Sequence, residues 1–175
     1  MEVRPALPVD LRQCAALDHQ YTTTRVWQID RRDENGAVTI AFHPVRLPRP
    51  MRVRYPRDAN RLWEDWRQWD AFFVAEEDGY IRGYAGLLMH AAEGRAWIRD
   101  LVVGRRFRRK RTGSRLLQEA MKWAAEQNLN RITVEMQSKN YPMISFSKKH
   151  GFVFCGFNEF HYPSQDIALF FTLRL

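Results

Sequence analysis

The pattern of apolar and polar positions predicts several strands in this chain. RITVEMQ, residues 131–137, is the clearest case, because its apolar residues all fall on one face of a strand. RAWIRDLVV, residues 95–103, predicts a second strand. AFFVAEEDGYIRGYAGLLMH, residues 71–90, predicts two strands joined by a turn at Asp78-Gly79. The second half of the chain is therefore rich in strands.

Helical spacing of apolar residues marks three further segments. GSRLLQEAMKWAAEQN, residues 113–128, carries one continuous apolar face. YPMISFSKKH, residues 141–150, predicts a shorter helix that ends at Gly151. ANRLWEDWRQWDAFF, residues 59–73, repeats leucine and tryptophan at helical spacing, and these side chains either anchor the core or line a substrate pocket.

The first sixty residues follow no single period. A short strand and then a helix starting near Pro8 are predicted at the N-terminus. The stretch 22–47 reads as a hairpin around Asn35-Gly36. Prolines at 48, 50 and 56 predict that the chain then crosses irregularly.

The order of these elements favours a mixed α/β fold. The strand at 95–103, the helix at 113–128 and the strand at 131–137 form a strand–helix–strand unit, which implies a parallel crossover. The remaining sheet is expected to be antiparallel. We expect one domain over residues 1–175, since that length suits a single core.

Composition narrows the class of protein. The 175 residues are 45% hydrophobic and 27% charged, as in soluble globular proteins, and no stretch has the length of a bilayer span. The N-terminus lacks the apolar core of a signal peptide, so we expect a cytoplasmic protein without a membrane partner. Neither the two cysteines, Cys14 and Cys155, which we expect to be buried, nor the histidines show metal-ligand spacing, so no metal is expected.

A net charge of +8 is concentrated in one loop. Residues 105–115 contain seven cations and no acidic residue, between a strand and the start of a helix. A helix N-terminus offers unpaired N–H groups to a phosphate, and nearby cations strengthen that field. A phosphate-binding loop is favoured here, while a nucleic-acid patch and a solvated charge run stay open as alternatives.

The segments IRDLVVGRRFRRKRTGSRLL, VEMQSKN and FSKKHGF resemble the GNAT superfamily of acyl-CoA-dependent N-acyltransferases. The resemblance is clearest over residues 72–175, and within the superfamily it is greatest to the streptothricin acetyltransferases. It implies the GNAT fold, in which a mostly antiparallel sheet splits between two strands to admit the cofactor. The phosphate-loop pattern of the family, Arg/Gln-x-x-Gly-x-Gly/Ala, falls on residues 108–113.

The resemblance also implies a cofactor site for acetyl-CoA, the acyl donor. Backbone groups of the strand at 101–103 would hold its pantetheine arm, and N–H groups of the loop would hold its pyrophosphate. The residues assigned to cofactor binding are Leu101, Val102, Val103, Arg108, Arg109, Lys110, Arg111, Thr112, Gly113, Ser114 and Asn140.

Two positions depart from the family pattern. Arg111 stands where the family has the first loop glycine, and a left-handed conformation there costs about 1–2 kcal/mol. Ser147 stands where the family has a tyrosine that donates a proton to the leaving thiolate. Serine is a poorer acid but could relay a proton through water, and Tyr162 is the nearest alternative phenol in sequence. Asp100 and Glu135 are the candidate bases, because an amine must lose its proton to attack a thioester. Arg99 occupies a neighbouring position that is often glutamate in relatives.

The sequence thus predicts an acetyl-CoA-dependent N-acetyltransferase that modifies a primary amine by direct attack on the thioester. The resemblance points to a small cationic acceptor of the streptothricin type, hence to antibiotic resistance. A protein lysine or N-terminal amine is a second substrate class, and a degenerate CoA-binding module with little catalysis is a third alternative. A nucleic-acid partner is not expected. A homodimer is left open, because the chain does not determine the oligomeric state.

Overall fold

A computed structural model describes residues 1–175 as a seven-stranded sheet with a separate two-stranded ribbon. The strands are β1 Glu2–Pro5, β2 Tyr21–Glu34, β3 Ala37–Val53, β4 Ala71–Glu77, β5 Tyr80–His90, β6 Arg95–Val103, β7 Arg131–Gln137, β8 Val153–Asn158 and β9 Ala168–Arg174. The helices are α1 Leu11–Ala15, α2 Leu62–Asp65, α3 Thr112–Glu126 and α4 Tyr141–Lys149. None of these helices combines the length and the hydropathy that a membrane span requires.

The main sheet has the strand order β1-β4-β5-β6-β7-β9-β8. Strands β6 and β7 run parallel and are connected through α3, while every other neighbouring pair is antiparallel. The expected mixed sheet around one strand–helix–strand unit is therefore confirmed. Parallel pairing covers only four residues on each strand, 95–98 with 131–134, so the two strands part beyond Ile98 and Val134.

A β-bulge lies at the point where β6 leaves β7. Gly86 of β5 pairs with Asp100 while Leu87 pairs with Ile98, which leaves Arg99 as the extra residue. The bulge reverses the alternation of faces along β6. Ile98 belongs to the larger core cluster under α3, whereas Val102, four residues later, belongs to the smaller cluster under α1 and α2.

The β2–β3 ribbon corrects one expectation. An irregular crossing was expected from Pro48 onward, but β3 continues to Val53. The prolines are accommodated because the ladder is interrupted there: Thr23 pairs with Met51 and Arg25 with Arg46, so residues 47–50 have no partner. A strand outside the main sheet tolerates this loss of hydrogen bonds.

The tryptophan-rich segment 59–73 forms a short α2 flanked by two single 3-10 turns rather than one long helix. Trp66 and Trp69 pack against the smaller core cluster, and Trp69 stacks on Phe72 with ring centroids 4.9 Å apart. A Cβ on Gly86 would lie 1.6 Å from the Trp69 ring, so that ring fills the space a side chain would need. Both tryptophans also line a cavity of about 440 Å³ that contains none of the predicted catalytic residues.

The two cysteines differ in exposure. Cys14 is fully buried in the smaller core cluster, as expected. Cys155 is exposed, so the expectation that both thiols are buried is wrong for this one. Its strand, β8, lies at the edge of the sheet, where side chains are less covered than on a central strand.

Candidate active site

The split between β6 and β7 is covered by the segment that follows β3. Tyr55, Pro56 and Arg57 line a narrow cavity of about 20 Å³ together with residues of both strands, Asn140 and Tyr162. Three predicted functional residues, Glu135, Asn140 and Tyr162, therefore line one cavity with residues 55–57, a segment to which the sequence assigned no function.

Arg57 joins the two candidate bases. Its guanidinium donates to Asp100 Oδ1 at 3.0 Å and to Glu135 Oε1, and also to the backbone carbonyl of Arg99 at 2.5 Å. Burial alone would lower the pKa of Arg57, but Asp100, Tyr55 and Tyr162 together outweigh this and raise it. The guanidinium thus stays charged, and the two carboxylates share one cation.

Glu135 retains one carboxylate oxygen without a partner. Its side chain is 0% exposed, and Oε1 accepts from Arg57 and from the Tyr162 hydroxyl at 3.4 Å, with the His161 Nε2 atom 3.2 Å away. Oε2 is buried and makes no hydrogen bond. A buried carboxylate oxygen without a donor is unusual, so this atom is free to accept a proton or a donor from a ligand.

Asp100 lies 3% exposed on the same side of the sheet. Its Oδ1 accepts from the Tyr55 hydroxyl as well as from Arg57. Burial first, and then the Asp100 charge, raise the pKa of Tyr55, so this phenol keeps its proton near neutral pH. Asp100 is thereby held by two fixed donors through one oxygen.

The hydroxyl groups predicted to supply a proton are both buried. Burial raises the pKa of Tyr162, whose hydroxyl lies against Glu135. Ser147 lies on α4 with 0% exposure, and its Oγ has no hydrogen-bond partner. Asn140 begins the same helix, where its side chain accepts from Met143 N at 3.1 Å. Asn140 lines the wall of the split. Ser147 lies two helical turns after it, on the same face of α4.

The basic loop follows β6 directly and ends where α3 begins. Arg109 and Arg111 both adopt positive φ, 62° and 64°, and Arg111 is the N-cap residue of α3. The backbone N–H groups of residues 108–111 donate no hydrogen bond within the protein. Those of the first turn of α3, which begins at Thr112, have no intrahelical acceptor. A row of unpaired N–H groups is thus presented at the positive end of a 15-residue helix.

Not every cation of the loop is available to a ligand. Arg108 donates through Nε to Val103 O at 2.8 Å and through Nη2 to Asp18 O and Gln20 O at 2.9 and 2.8 Å. Its guanidinium therefore holds the loop to the chain before β2. The cations left exposed on the loop are Arg105, Arg106, Arg109, Lys110 and Arg111.

The small residues after Arg111 have different surroundings. Thr112 is buried, and its hydroxyl donates to Phe107 O at 3.3 Å. Ser114 Oγ lies 3.1 Å from His150 Nε2, which links the start of α3 to the end of α4. A Cβ on Gly113 would meet only ordinary contacts at 3.6 Å or more, so packing does not require glycine there. Its small size instead leaves the loop open to a close approach from outside.

Arg57 and Tyr55 are the functional residues that sequence reasoning missed. Both follow the ribbon and contact Asp100, 43 or more residues away along the chain. The alternation of Arg and Tyr around Pro56 carries no periodic signal, so only the tertiary arrangement reveals them.

Comparison with known proteins identifies the family of this chain. The model of the acetyltransferase (GNAT) family matches residues 39–152. The chain belongs to this family. It is 27% identical over 163 residues to a streptothricin acetyltransferase of Streptomyces lavendulae, with 90% of this chain and 84% of that protein covered. It is 30% identical over 85 residues to streptothricin acetyltransferase A of Bacillus subtilis, with 46% of this chain covered.

Solved structures show the same fold. Nourseothricin acetyltransferase superposes with a TM-score of 0.82 at 22% identity, covering 99% of this chain and 97% of that one. A Bacillus anthracis protein solved in complex with acetyl coenzyme A gives a TM-score of 0.77 at 22% identity, with the same coverage. The GNAT fold expected from the sequence is confirmed, and the protein is an N-acetyltransferase that uses acetyl-CoA as its donor.

The residues present fit that donor. The unpaired N–H groups before α3 suit a pyrophosphate, and the exposed cations around Arg109 and Arg111 suit its charge. Glu135 Oε2 and Arg99 Nε are buried polar atoms at the split without a hydrogen-bond partner, and Ser147 Oγ on α4 has none either.

Proposed function

We propose that this GNAT enzyme acetylates a primary amine of a small cationic acceptor, of the kind that streptothricin-type antibiotics carry, and thereby inactivates such antibiotics. The observation that carries this proposal is the extent of the similarity to the Streptomyces lavendulae enzyme, which spans 90% of the chain and so includes the ribbon and the segment over the split. A similarity confined to the cofactor loop would support only the donor.

Acetyl-CoA is held, in this proposal, by the strand–loop–helix unit. Backbone groups of Leu101–Val103 face the pantetheine arm where β6 has lost its β7 partner. The N–H groups of residues 109–114 bind the pyrophosphate, and Asn140 contacts the arm from the other wall of the split. Arg108 contributes by fixing the loop rather than by touching the phosphates.

Glu135 is the proposed general base. The acceptor amine is mostly protonated near neutral pH, since its ordinary pKa is about 10.4, and it must lose a proton before it attacks the thioester carbon. Glu135 Oε2 has no competing donor, whereas Arg57 is confined to Oε1. Asp100 acts through Arg57 and Tyr55 as a positioning residue, because both of its contacts orient the segment over the split.

Tyr162 and Ser147 are the proposed sources of the proton that the departing thiolate takes up. Burial raises the pKa of Tyr162, which keeps its hydroxyl protonated but makes it a weaker acid, so its proposed role rests on its position 3.4 Å from Glu135 Oε1. Ser147 stands where relatives carry a tyrosine, and its partnerless Oγ is available to relay a proton once a ligand lies against α4.

Thiol release from acetyl-CoA, measured with streptothricin and a panel of amines, tests the proposal. We expect streptothricin to be acetylated with the highest kcat/KM of the panel. Glu135→Gln should lower kcat by about 10²-fold or more, the usual contribution of a general base, while Asp100→Asn should mainly lower stability. Far-UV circular dichroism of each variant separates lost chemistry from lost folding.

Two results would contradict the proposal. Binding of acetyl-CoA without turnover of any amine would favour the degenerate module, and turnover of protein N-termini in preference to streptothricin would favour the second substrate class. A larger loss of kcat in Asp100→Asn than in Glu135→Gln, with both folded, would exchange the roles of the two carboxylates.

A further inference from the structure

Arg99 is a half-buried cation without an anionic partner. Its guanidinium forms no salt bridge and donates no hydrogen bond within the protein, and its Nε is fully buried and unpaired. Arg57, on the same side of the sheet, has two carboxylates. Arg95, four positions before Arg99 and on the same face of β6 as Trp97, pairs with Glu93 at 2.8 Å.

The position of Arg99 brings it to the mouth of the split. It is the bulged residue where β6 leaves β7, and it directly precedes Asp100. Its guanidinium carbon lies 5.8 Å from the centroid of the Trp97 ring, which braces it from one side. Its charge acts on Tyr162 and on His161, the two neighbours of Glu135. A ligand that presents an amine to Glu135 therefore lies within reach of Arg99.

The carboxylates near Arg99 accept no hydrogen bond from its guanidinium. Burial and the nearby Arg57 both lower the pKa of Arg99, which means that its surroundings disfavour the cation. Two carboxylates act on Arg99 through their charge: Asp100 is already bound by Arg57, and Asp65 makes no salt bridge with Arg99. An oxygen acceptor supplied by a ligand would satisfy the guanidinium and reduce this penalty.

We propose that Arg99 binds a carbonyl or carboxylate oxygen of the acceptor, so that the enzyme selects aminoacyl compounds, which carry an amine and a carbonyl group on one short chain, over simple polyamines. The inference rests on the proposed acetylation of a small amine at this split, and it narrows the acceptor to one chemical class. A guanidinium is suited to this role because its planar array of donors matches an oxygen acceptor in a fixed direction.

A matched set of three acceptors tests this selection. Cadaverine, lysinamide and lysine share a five-carbon diamine skeleton and differ only in having no carbonyl group, an amide or a carboxylate. We expect kcat/KM to be about 10- to 100-fold higher for lysinamide or lysine than for cadaverine, the effect of one hydrogen bond to a charged group. The ratio of lysinamide to lysine then distinguishes an amide from a carboxylate as the preferred oxygen.

Three variants assign the selection to Arg99. In Arg99→Met the lysinamide-to-cadaverine ratio should fall to within about threefold of one, and in Arg99→Glu it should reverse, because an anion at this position attracts a bare amine. Arg95→Gln is the matched control: Arg95 also lies against Trp97 but is already paired with Glu93, so its ratio should stay at the wild-type value.

The outcomes separate this inference from the proposed function. Acetylation of streptothricin together with equal kcat/KM for cadaverine and lysinamide would overturn the inference and leave the function standing. If no amine is acetylated, the ¹H–¹⁵N signal of Arg99 Nε, assigned by its loss in Arg99→Met, gives a readout that needs no turnover. Lysinamide but not cadaverine should shift that signal, and the absence of a shift with both carbonyl compounds would overturn the inference.

Discussion

The loop before α3 contains two arginines in a backbone conformation that favours glycine. Arg109 and Arg111 have φ of 62° and 64°, while Lys110 between them is not in the positive-φ region. We predict that the glycine variant of the protein is more stable than the alanine variant at positions 109 and 111, and that the alanine variant is the more stable one at position 110. Each Gly–Ala comparison removes the same long side chain, so the difference reports the backbone alone.

The magnitude follows from two opposing effects. An L-residue in the left-handed region costs about 1–2 kcal/mol, and glycine removes that cost. Glycine also gives the unfolded chain more freedom, which destabilises the folded protein by about 0.4–1 kcal/mol relative to alanine. The midpoints of these two ranges give a net preference at Arg111 of about 0.8 kcal/mol for glycine, which for a chain of 175 residues shifts Tm by about 2–3 °C.

Urea unfolding followed by tryptophan fluorescence measures these differences, with acetyl-CoA titration of each variant as a second readout. At Lys110 only the unfolded-chain effect operates, so Ala should be the more stable variant there by about 0.4–1 kcal/mol. Arg111→Gly and Arg111→Ala should bind acetyl-CoA with the same affinity, because the arginine backbone already has the conformation that glycine would adopt.

Equal or lower stability of Arg111→Gly relative to Arg111→Ala would refute the reasoning, as would a preference for glycine at all three positions. Tighter acetyl-CoA binding by Arg111→Gly alone would mean that the arginine backbone distorts the phosphate site. The departure from the family glycine would then weaken the donor site rather than merely add strain.

Three further predictions concern ion pairs and hydrogen bonds. Arg57→Met should lower the free energy of unfolding by about 3–5 kcal/mol, because it leaves two buried carboxylates without their cation. Arg61→Met breaks only an exposed pair and should change this free energy by under about 1 kcal/mol. Equal effects of the two variants in a urea titration would be contrary evidence. Arg108→Ala should lower the free energy of unfolding by about 1.5–3 kcal/mol and loosen the loop. Amide exchange should then be faster at Gly104 and Phe107, whose N–H groups are hydrogen-bonded, and unchanged exchange at both would contradict this. The hydrogen bond from Arg4 lowers the pKa of Asp10. The stabilisation by this pair is therefore complete above the ordinary Asp pKa of about 3.9 and is lost as pH falls through the lower folded value. The difference in unfolding free energy between wild type and Asp10→Asn should shrink from pH 6 to pH 2, and a constant difference would exclude this linkage.

The regular half of the fold could be predicted from local pattern. Strand β7 has the expected bounds because its apolar residues alternate, and β6 has them although its apolar residues fall in two runs, 96–98 and 101–103. Helix α3 begins and ends near the expected residues because its apolar face has a helical period. The hairpin turns at Asn35-Gly36 and Asp78-Gly79 also lie where expected, with positive φ at all four residues. In each case the determining interactions lie within a few residues along the chain.

The candidate site is less accessible to such reasoning. Alternation along RAWIRDLVV would put Ile98 and Asp100 on one face, but the bulge at Arg99 separates them. The bulge lies where β6 keeps β5 as a partner and loses β7, and the local sequence does not show where that pairing ends. The contact of Arg57 with Glu135 joins residues 78 apart in the chain and depends on how the ribbon is connected to α2.

Arginine density is a poor guide to where arginine matters in this protein. The loop at 105–115 has the greatest density, yet Arg108, which donates three hydrogen bonds to backbone carbonyls, serves the loop itself. Arg57 lies outside the loop and neutralises two carboxylates, and Arg99 lies outside it and has no partner at all. The sequence gives all three the same charge, but burial and partners decide whether each one stabilises the fold, holds the site or is left for a ligand. The unpaired one is therefore where substrate recognition should be sought.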